Sequence, residues 1–166
     1  MTVPAPLPFR VGQGWDSHRI ETGRPLILGG VHIPCDFGLA GHSDADVLFH
    51  AITDAILGAL AAGDIGMHFP DTDPAWKNAG SLQFLRHALQ LAAEQSYRIA
   101  NIDSTIILER PKLSTFRSAI RTAVGRAVDL PETAVSVKFK TAERVGPVGE
   151  GLSCEAQALV VLVFQS

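Results

Sequence analysis

The chain has 166 residues, 46% of them hydrophobic and 19% charged, which gives enough apolar side chain for one core and excludes a disordered polymer. With 14 Lys and Arg against 17 Asp and Glu, the net charge is −3, and no basic field exists for sequence-independent nucleic-acid binding. Two isolated cysteines, Cys35 and Cys154, make neither a disulfide framework nor a Cys-type zinc site, and both are expected to be inert.

The first nine residues, Met-Thr-Val-Pro-Ala-Pro-Leu-Pro-Phe, lack a signal-peptide core and read as an extended lead-in over residues 1–8. Phe9 to Gly14 and Leu26 to Leu28 read as short strands. Gly12-x-Gly14 reads as a turn and, lacking a third glycine, not as a dinucleotide fingerprint. Gly29-Gly30 turns the chain into an extended Val31 to Ile33. A helix is expected over 44–62, opened by Ser43-x-x-Asp46 and stopped by Gly63. Its apolar stripe runs through Val47, Leu48, Ala51, Ala55, Ala59 and Ala62, while Asp46, His50 and Asp54 share another face.

Further helices are expected from Ser81 to Glu94 and from Ser114 to Val128, the latter stopped before Pro131. His32 and His87 read as surface imidazoles. Ile99 to Leu108 is β-branched, Val135, Val137 and Phe139 alternate with polar residues, and Ala156 to Phe164 reads as a strand covered on both faces. The expected fold is α+β: one two-layer domain over 1–166, with a mixed sheet and three main helices. Three helices are few for so apolar a sheet, and oligomerisation would supply the missing cover. The longest apolar run, Ala158 to Phe164, is too short to span a bilayer, and a soluble, reduced, cytoplasmic setting is expected.

Four stretches bear chemistry. In Asp16-Ser17-His18, positions i and i+2 of an extended segment point to one side. His50 would add a third ligand, the open catalytic pattern for Zn²⁺, though Asp-x-His alone also fits an ordinary strand end. His42-Ser43-Asp44-Ala45-Asp46 opens a helix, where an anion is favoured; plain capping accounts for Ser43 and Asp46 but not for His42. The segment from Gly63 to Pro74, with Asp64, Asp71 and Asp73, suits either a substrate-closing loop or an acidic surface loop. Pro111-Lys112 and Lys140-Thr141-Ala142-Glu143-Arg144 follow strands and suit phosphate recognition, with Glu143 a Mg²⁺ ligand, or else solvated surface.

Together these segments resemble the 2-C-methyl-D-erythritol 2,4-cyclodiphosphate synthase family. The resemblance rests on Gly12-Gln13-Gly14-Trp15-Asp16-Ser17-His18, His42 to Asp46, His50-Ala51-Ile52-Thr53-Asp54-Ala55, Gly63 to Gly66, Phe69 to Pro74, Pro111-Lys112 and Gly149-Glu150-Gly151, in the family's order. It implies a homotrimer with sheets about the threefold axis and active sites between subunits. It implies a lyase that closes 4-diphosphocytidyl-2-C-methyl-D-erythritol 2-phosphate into a cyclic diphosphate and releases CMP.

By position, the resemblance makes Asp16, His18 and His50 zinc ligands and Glu143 the ligand of a second cation, Mg²⁺ or Mn²⁺. His42 and Thr141 become transition-state stabilisers, and Ser43 joins His42 beside the methylerythritol phosphate. Asp54, Asp64, Ile65, Gly66, Phe69, Pro70, Asp71, Thr72 and Asp73 belong to the substrate loops. Leu108, Pro111, Lys112, Leu113, Ser114, Lys140 and Ala142 belong to the cytidine and phosphate pocket of an adjoining subunit. The chain departs from the family at Gln13, at Ala45 where Gly is usual, at Lys140 and Ala142 where Thr is common, and in a shortened 144–149 loop. That loop lacks the Arg facing the axial cavity, so the resemblance does not extend to an isoprenoid diphosphate bound there. A metal-dependent phosphohydrolase on the same scaffold is the alternative activity; a non-catalytic trimer would need lost metal ligands, and all are present.

Overall fold

The computed structural model describes residues 6–70, 72–76 and 79–165. Strand β1 (Phe9–Thr22) is followed by β2 (Leu26–Leu28), β3 (Val31–Ile33) and β4 (Phe37–Leu39). Helices α1 (Val47–Ala59), α2 (Ile65–His68) and α3 (Ser81–Glu94) come next. Then β5 (Tyr97–Ile107), α4 (Arg117–Val128), β6 (Val135–Lys140), α5 (Gly146–Gly149) and β7 (Ser153–Phe164) complete the chain. The main sheet runs β4-β1-β7-β5-β6, mixed because β5 and β6 are parallel, and β2-β3 form a separate hairpin. One continuous core lies between this sheet and α1, α3 and α4, so the expected α+β layering with three main helices holds.

Several expectations change. The first strand does not stop at Gly14 but continues through Asp16-Ser17-His18 to Thr22, because β7 and then β4 supply backbone partners. Gly12 and Gly14 are therefore strand residues under α1, not a turn. A Cβ on Gly12 would lie 2.6 Å from the Ala59 nitrogen, and one on Gly14 2.7 Å from the Ala55 nitrogen. Only glycine lets the helix backbone approach this closely.

Helix α1 starts at Val47 rather than residue 44. The Asp46 carboxylate caps it by accepting from Leu48 N and Phe49 N at 3.1 and 3.2 Å, and Ala45 before it has φ of 57°, which no helix can include. The same carboxylate accepts Gly29 N at 2.8 Å and Gly30 N at 2.6 Å, tying the hairpin turn to the helix. α1 is buried almost all round, so His50, at 8% exposure, does not sit on a separate polar face. β7 is covered on one face only: Cys154, Ala156, Ala158 and Val160 are buried, while Gln157 and Leu159 are exposed. Cys154 is inert as expected, its thiol pushed up by burial, but Cys35 is exposed and donates to the Phe37 carbonyl at 3.0 Å. Residues 1–5 of the expected lead-in lie outside the described residues; Leu7 and Pro8 accept from Tyr97 Oη and Phe164 N.

Candidate metal centre and substrate cleft

Asp16 and His18 point from β1 toward α1, and His50 points back from α1. Asp16 Oδ2 lies 2.9 Å from His18 Nε2 and 2.9 Å from His50 Nδ1, and the two ring nitrogens are 3.1 Å apart. Protons can be assigned by counting. His18 Nδ1 lies 2.6 Å from the Ala40 carbonyl, which only accepts, so Nδ1 carries the hydrogen and Nε2 a lone pair. Ser81 Oγ donates its one proton to Asp44, so it accepts from His50 Nε2–H at 2.8 Å, and His50 Nδ1 also carries a lone pair. With both imidazoles neutral, three electron-rich atoms meet with no hydrogen between them. That donor set fits a divalent ion of the zinc class, with a fourth position open toward the cleft.

Without an ion, the same three atoms attract a proton in its place. Burial pushes the Asp16 carboxyl up, but hydrogen bonds and charge from His18 and His50 outweigh it and hold the group well below the usual carboxylate range. Burial works to lower His18, and the Asp16 carboxylate overcomes it and raises the imidazole. Among the described residues no other group of three His, Cys, Asp or Glu side chains converges in this way.

The trio lies in a cavity of about 520 Å³ also lined by His42, Ser43, Ile65, Gly66, Phe69 and Pro70, so most expected cleft residues meet there. The loop bearing His42 and Ser43 is held by Arg24, which donates to the Gly41 carbonyl at 2.8 Å and the Ser43 carbonyl at 2.7 Å. Ser43 does not cap α1; its hydroxyl oxygen accepts Ala45 N at 3.0 Å. Trp76 and Phe84 also line the cavity, packed on Phe69 with ring centroids 4.9 and 4.5 Å apart. Sequence reasoning missed both: Phe84 sits at helical spacing on α3 and reads equally as core, and Trp76 lies in the turn before α3, where no periodicity marks it.

Of the remaining expected substrate-loop residues, Asp54, Asp64, Thr72 and Asp73 do not line the cavity. Asp54 uses its carboxylate on Ile65 N at 2.7 Å; burial is the main force raising that group, and the Ile65 hydrogen bond opposes it. Asp64 caps α2 through Met67 N at 2.9 Å, and Asp73 accepts Ala75 N at 2.9 Å. Thr72 is exposed, and Asp71 lies outside the described residues. His87 is not a free surface imidazole: its Nε2 meets His68 Nδ1 at 3.1 Å, and His68 Nε2 donates to the Ala62 carbonyl in the loop after α1.

The expected nucleotide residues form a second cavity, about 180 Å³, lined by Leu108, Pro111, Lys112, Leu113, Ser114, Lys140 and Thr141. Ala142 stands beside it with its N–H on Glu109, and Glu143 accepts from Thr141 Oγ1 at 2.6 Å. Among the described residues the two cavities share no lining residue. Asp16 pairs with Ala156, Ala156 with Ile106 and Ile106 with Phe139, so β1 and β6 are three strand spacings apart. That is about 14 Å between the metal trio's strand and the strand leading to Glu143.

The fold is an α+β layer whose first strand and first long helix bring together an Asp-His-His group able to hold a metal ion, an arrangement of enzyme-like architecture. Residues 9–163 match the YgbB family, and the chain belongs to it. The chain is 68% identical over 154 residues to the 2-C-methyl-D-erythritol 2,4-cyclodiphosphate synthase of Solibacter usitatus, covering 93% of this chain and 97% of that protein. Its fold superposes on the bifunctional IspDF from Campylobacter jejuni with a TM-score of 0.91 at 39% identity, covering 95% of this chain but only 43% of that longer one. It superposes on the IspF–CDP complex from Plasmodium falciparum with a TM-score of 0.84 at 37% identity, covering 95% of this chain and 97% of that one. Among the described residues no helix is long and apolar enough to cross a membrane.

Proposed function

We propose that the protein is a 2-C-methyl-D-erythritol 2,4-cyclodiphosphate synthase, a phosphorus–oxygen lyase acting on 4-diphosphocytidyl-2-C-methyl-D-erythritol 2-phosphate. The 2-phosphate oxygen forms a bond to the β-phosphorus, the bond from that phosphorus to the oxygen shared with CMP breaks, and CMP leaves with the electron pair. The observation that carries this reading is the meeting of three lone pairs from Asp16, His18 and His50 inside a cleft shared with His42 and Ser43. The relatives named above support the substrate, since they carry the synthase name or a bound CDP.

Asp16, His18 and His50 would hold Zn²⁺, and Glu143 with water would hold the second cation, Mg²⁺ or Mn²⁺. When bound, such cations withdraw charge from phosphoryl oxygens and offset the repulsion between two phosphates. The chain's own residues supply position. Among the described residues none accepts the Ser43 hydroxyl proton when His50 Nε2 carries a hydrogen, which leaves it for the methylerythritol phosphate; His42 would donate to charge developing at phosphorus, and Thr141 would join it when its hydroxyl turns from Glu143. The attacking phosphate is ionised at neutral pH, so no nucleophilic Ser or Cys and no general base is required. Holding both phosphates in one cleft makes the attack intramolecular.

The same reading makes the working unit a homotrimer. Phe9, Val11 and Trp15 alternate along the outer face of β1 at 59, 51 and 52% exposure, and Leu159 continues the patch on β7. A bare apolar sheet face of this kind calls for a partner. The separation of β1 from β6 by three strand spacings supports the same reading: Glu143 of one chain and the trio of another would serve one diphosphate. Two free thiols and the nucleotide substrate fit the cytoplasm.

The test is CMP release from the diphosphocytidyl substrate by metal-loaded protein, with and without a chelator. Stoichiometric CMP and cyclic diphosphate, abolished by the chelator and restored by zinc with magnesium, is the expected result. Inorganic phosphate in place of cyclic product, or no CMP at saturating metal, refutes it.

A further inference from the structure

We propose that Ser81 and Asp44 form an outer hydrogen-bond relay that positions His50 as a metal ligand; this rests on the metal reading of the trio. Neither residue is in the cleft lining, and Ser81 is fully buried at the first turn of α3. Its hydroxyl lies 2.8 Å from His50 Nε2 and donates to the Asp44 carboxylate. Asp44 also accepts the Ser81 backbone N–H at 3.1 Å through each oxygen, capping α3 where Gly80 offers no side chain. Asp44 N in turn donates to the Ala79 carbonyl at 3.1 Å, so loop and helix hold each other in both directions.

A neutral imidazole has two tautomers, and only one places a lone pair on Nδ1 toward Asp16 and His18. Ser81 selects it. A hydroxyl has one proton, and the carboxylate claims that proton, so the oxygen faces His50 as an acceptor alone. The negative charge behind it polarises the hydroxyl and strengthens its acceptance of Nε2–H, which keeps the Nδ1 lone pair turned toward Asp16 and His18. Ser43 Oγ, 3.3 Å from the same nitrogen, is a longer contact and already accepts Ala45 N. Asp44 thus joins three parts of the site: the loop bearing His42 and Ser43, the start of α3 and the metal ligand.

The experiment measures zinc affinity of the full-length protein by chelator competition, together with the His50 tautomer by nitrogen-15 NMR of the apo protein. Ser81→Ala is expected to weaken zinc binding about 10- to 100-fold and to release His50 from the single Nε2–H form. Ser81→Thr, which restores the hydroxyl, is expected to recover most of the affinity. Asp44→Asn, which keeps an acceptor but removes the charge, is expected to weaken zinc about tenfold, and it decides the matter if Ser81→Ala does not fold. Wild-type zinc affinity in Ser81→Ala, or in Asp44→Asn where that variant stands in, overturns the relay. A wild-type protein that binds no zinc, with His50→Ala indistinguishable from it, overturns the metal reading instead.

Discussion

Gly14→Ala tests whether the metal centre depends on how closely α1 lies on β1. The new Cβ would meet the Ala51 carbonyl oxygen in hard overlap and stand 2.7 Å from Ala55 N, both backbone atoms that cannot rotate away. Restoring an ordinary contact requires α1 to retreat by about 1.5 Å. His50 precedes Ala51 on that helix and moves with it, whereas Asp16, two residues beyond Gly14, stays with the strand. Metal–ligand distances tolerate only about 0.2 Å, so zinc affinity should fall at least tenfold. Overpacking of this kind costs about 1–3 kcal/mol, a fall in Tm of roughly 3 to 10 °C. Gly58→Ala is the control: its Cβ meets only the Gln13 oxygen at 3.8 Å, and it should bind zinc normally with Tm unchanged or higher. Chelator competition and calorimetry on the three proteins settle the matter. A Gly14→Ala protein with wild-type zinc affinity and Tm would refute the reasoning.

Other substitutions probe separate features. Burial pushes the Asp46 carboxyl from 3.8 up to about 6, with the N–H groups of Gly30, Gly29 and Phe49 pulling it down. A raised acid binds its proton more tightly folded than unfolded, so its stabilisation is complete below pH 3.8 and lost as pH rises through 6. Chemical denaturation should therefore show the stability of wild type relative to Asp46→Asn falling by about 2 kcal/mol between pH 4 and 7; a flat difference counts against it. Ala45→Gly removes a left-handed alanine and should raise stability by about 1 kcal/mol in urea titrations. Val11→Glu charges the outer sheet face; on the proposed reading wild type sediments as a trimer and the variant as a folded monomer, with unchanged far-ultraviolet circular dichroism.

Local signals in the sequence read well, and contacts between distant segments did not. Helix α3 runs from Ser81 to Glu94 as its leucine spacing implies, and β6 alternates as Val135, Val137 and Phe139 suggest. The second half of β1 was hidden because Ser17, His18, Arg19, Glu21 and Thr22 carry no apolar alternation; pairing with β7 and β4 makes that stretch a strand. Gly12 and Gly14 look like turn residues until the helix above them is known. The metal trio was visible as residue types, since i and i+2 on a strand share a face, whereas its support was not. Ser81 reads as a helix start and Asp44 as a loop acid, and only the packing of α3 beside the loop joins them to His50.

The distance across the sheet between the metal trio and Glu143 has a consequence for genetics. On the proposed reading a solitary chain owns two incomplete halves and turns nothing over, so activity should vanish on dilution faster than the fold does. A chain with a ruined His50 and a chain with a ruined Glu143 would each be dead in pure form. Co-expressed, they would regain part of their turnover, because some junctions in the mixed ring would unite the intact half of each.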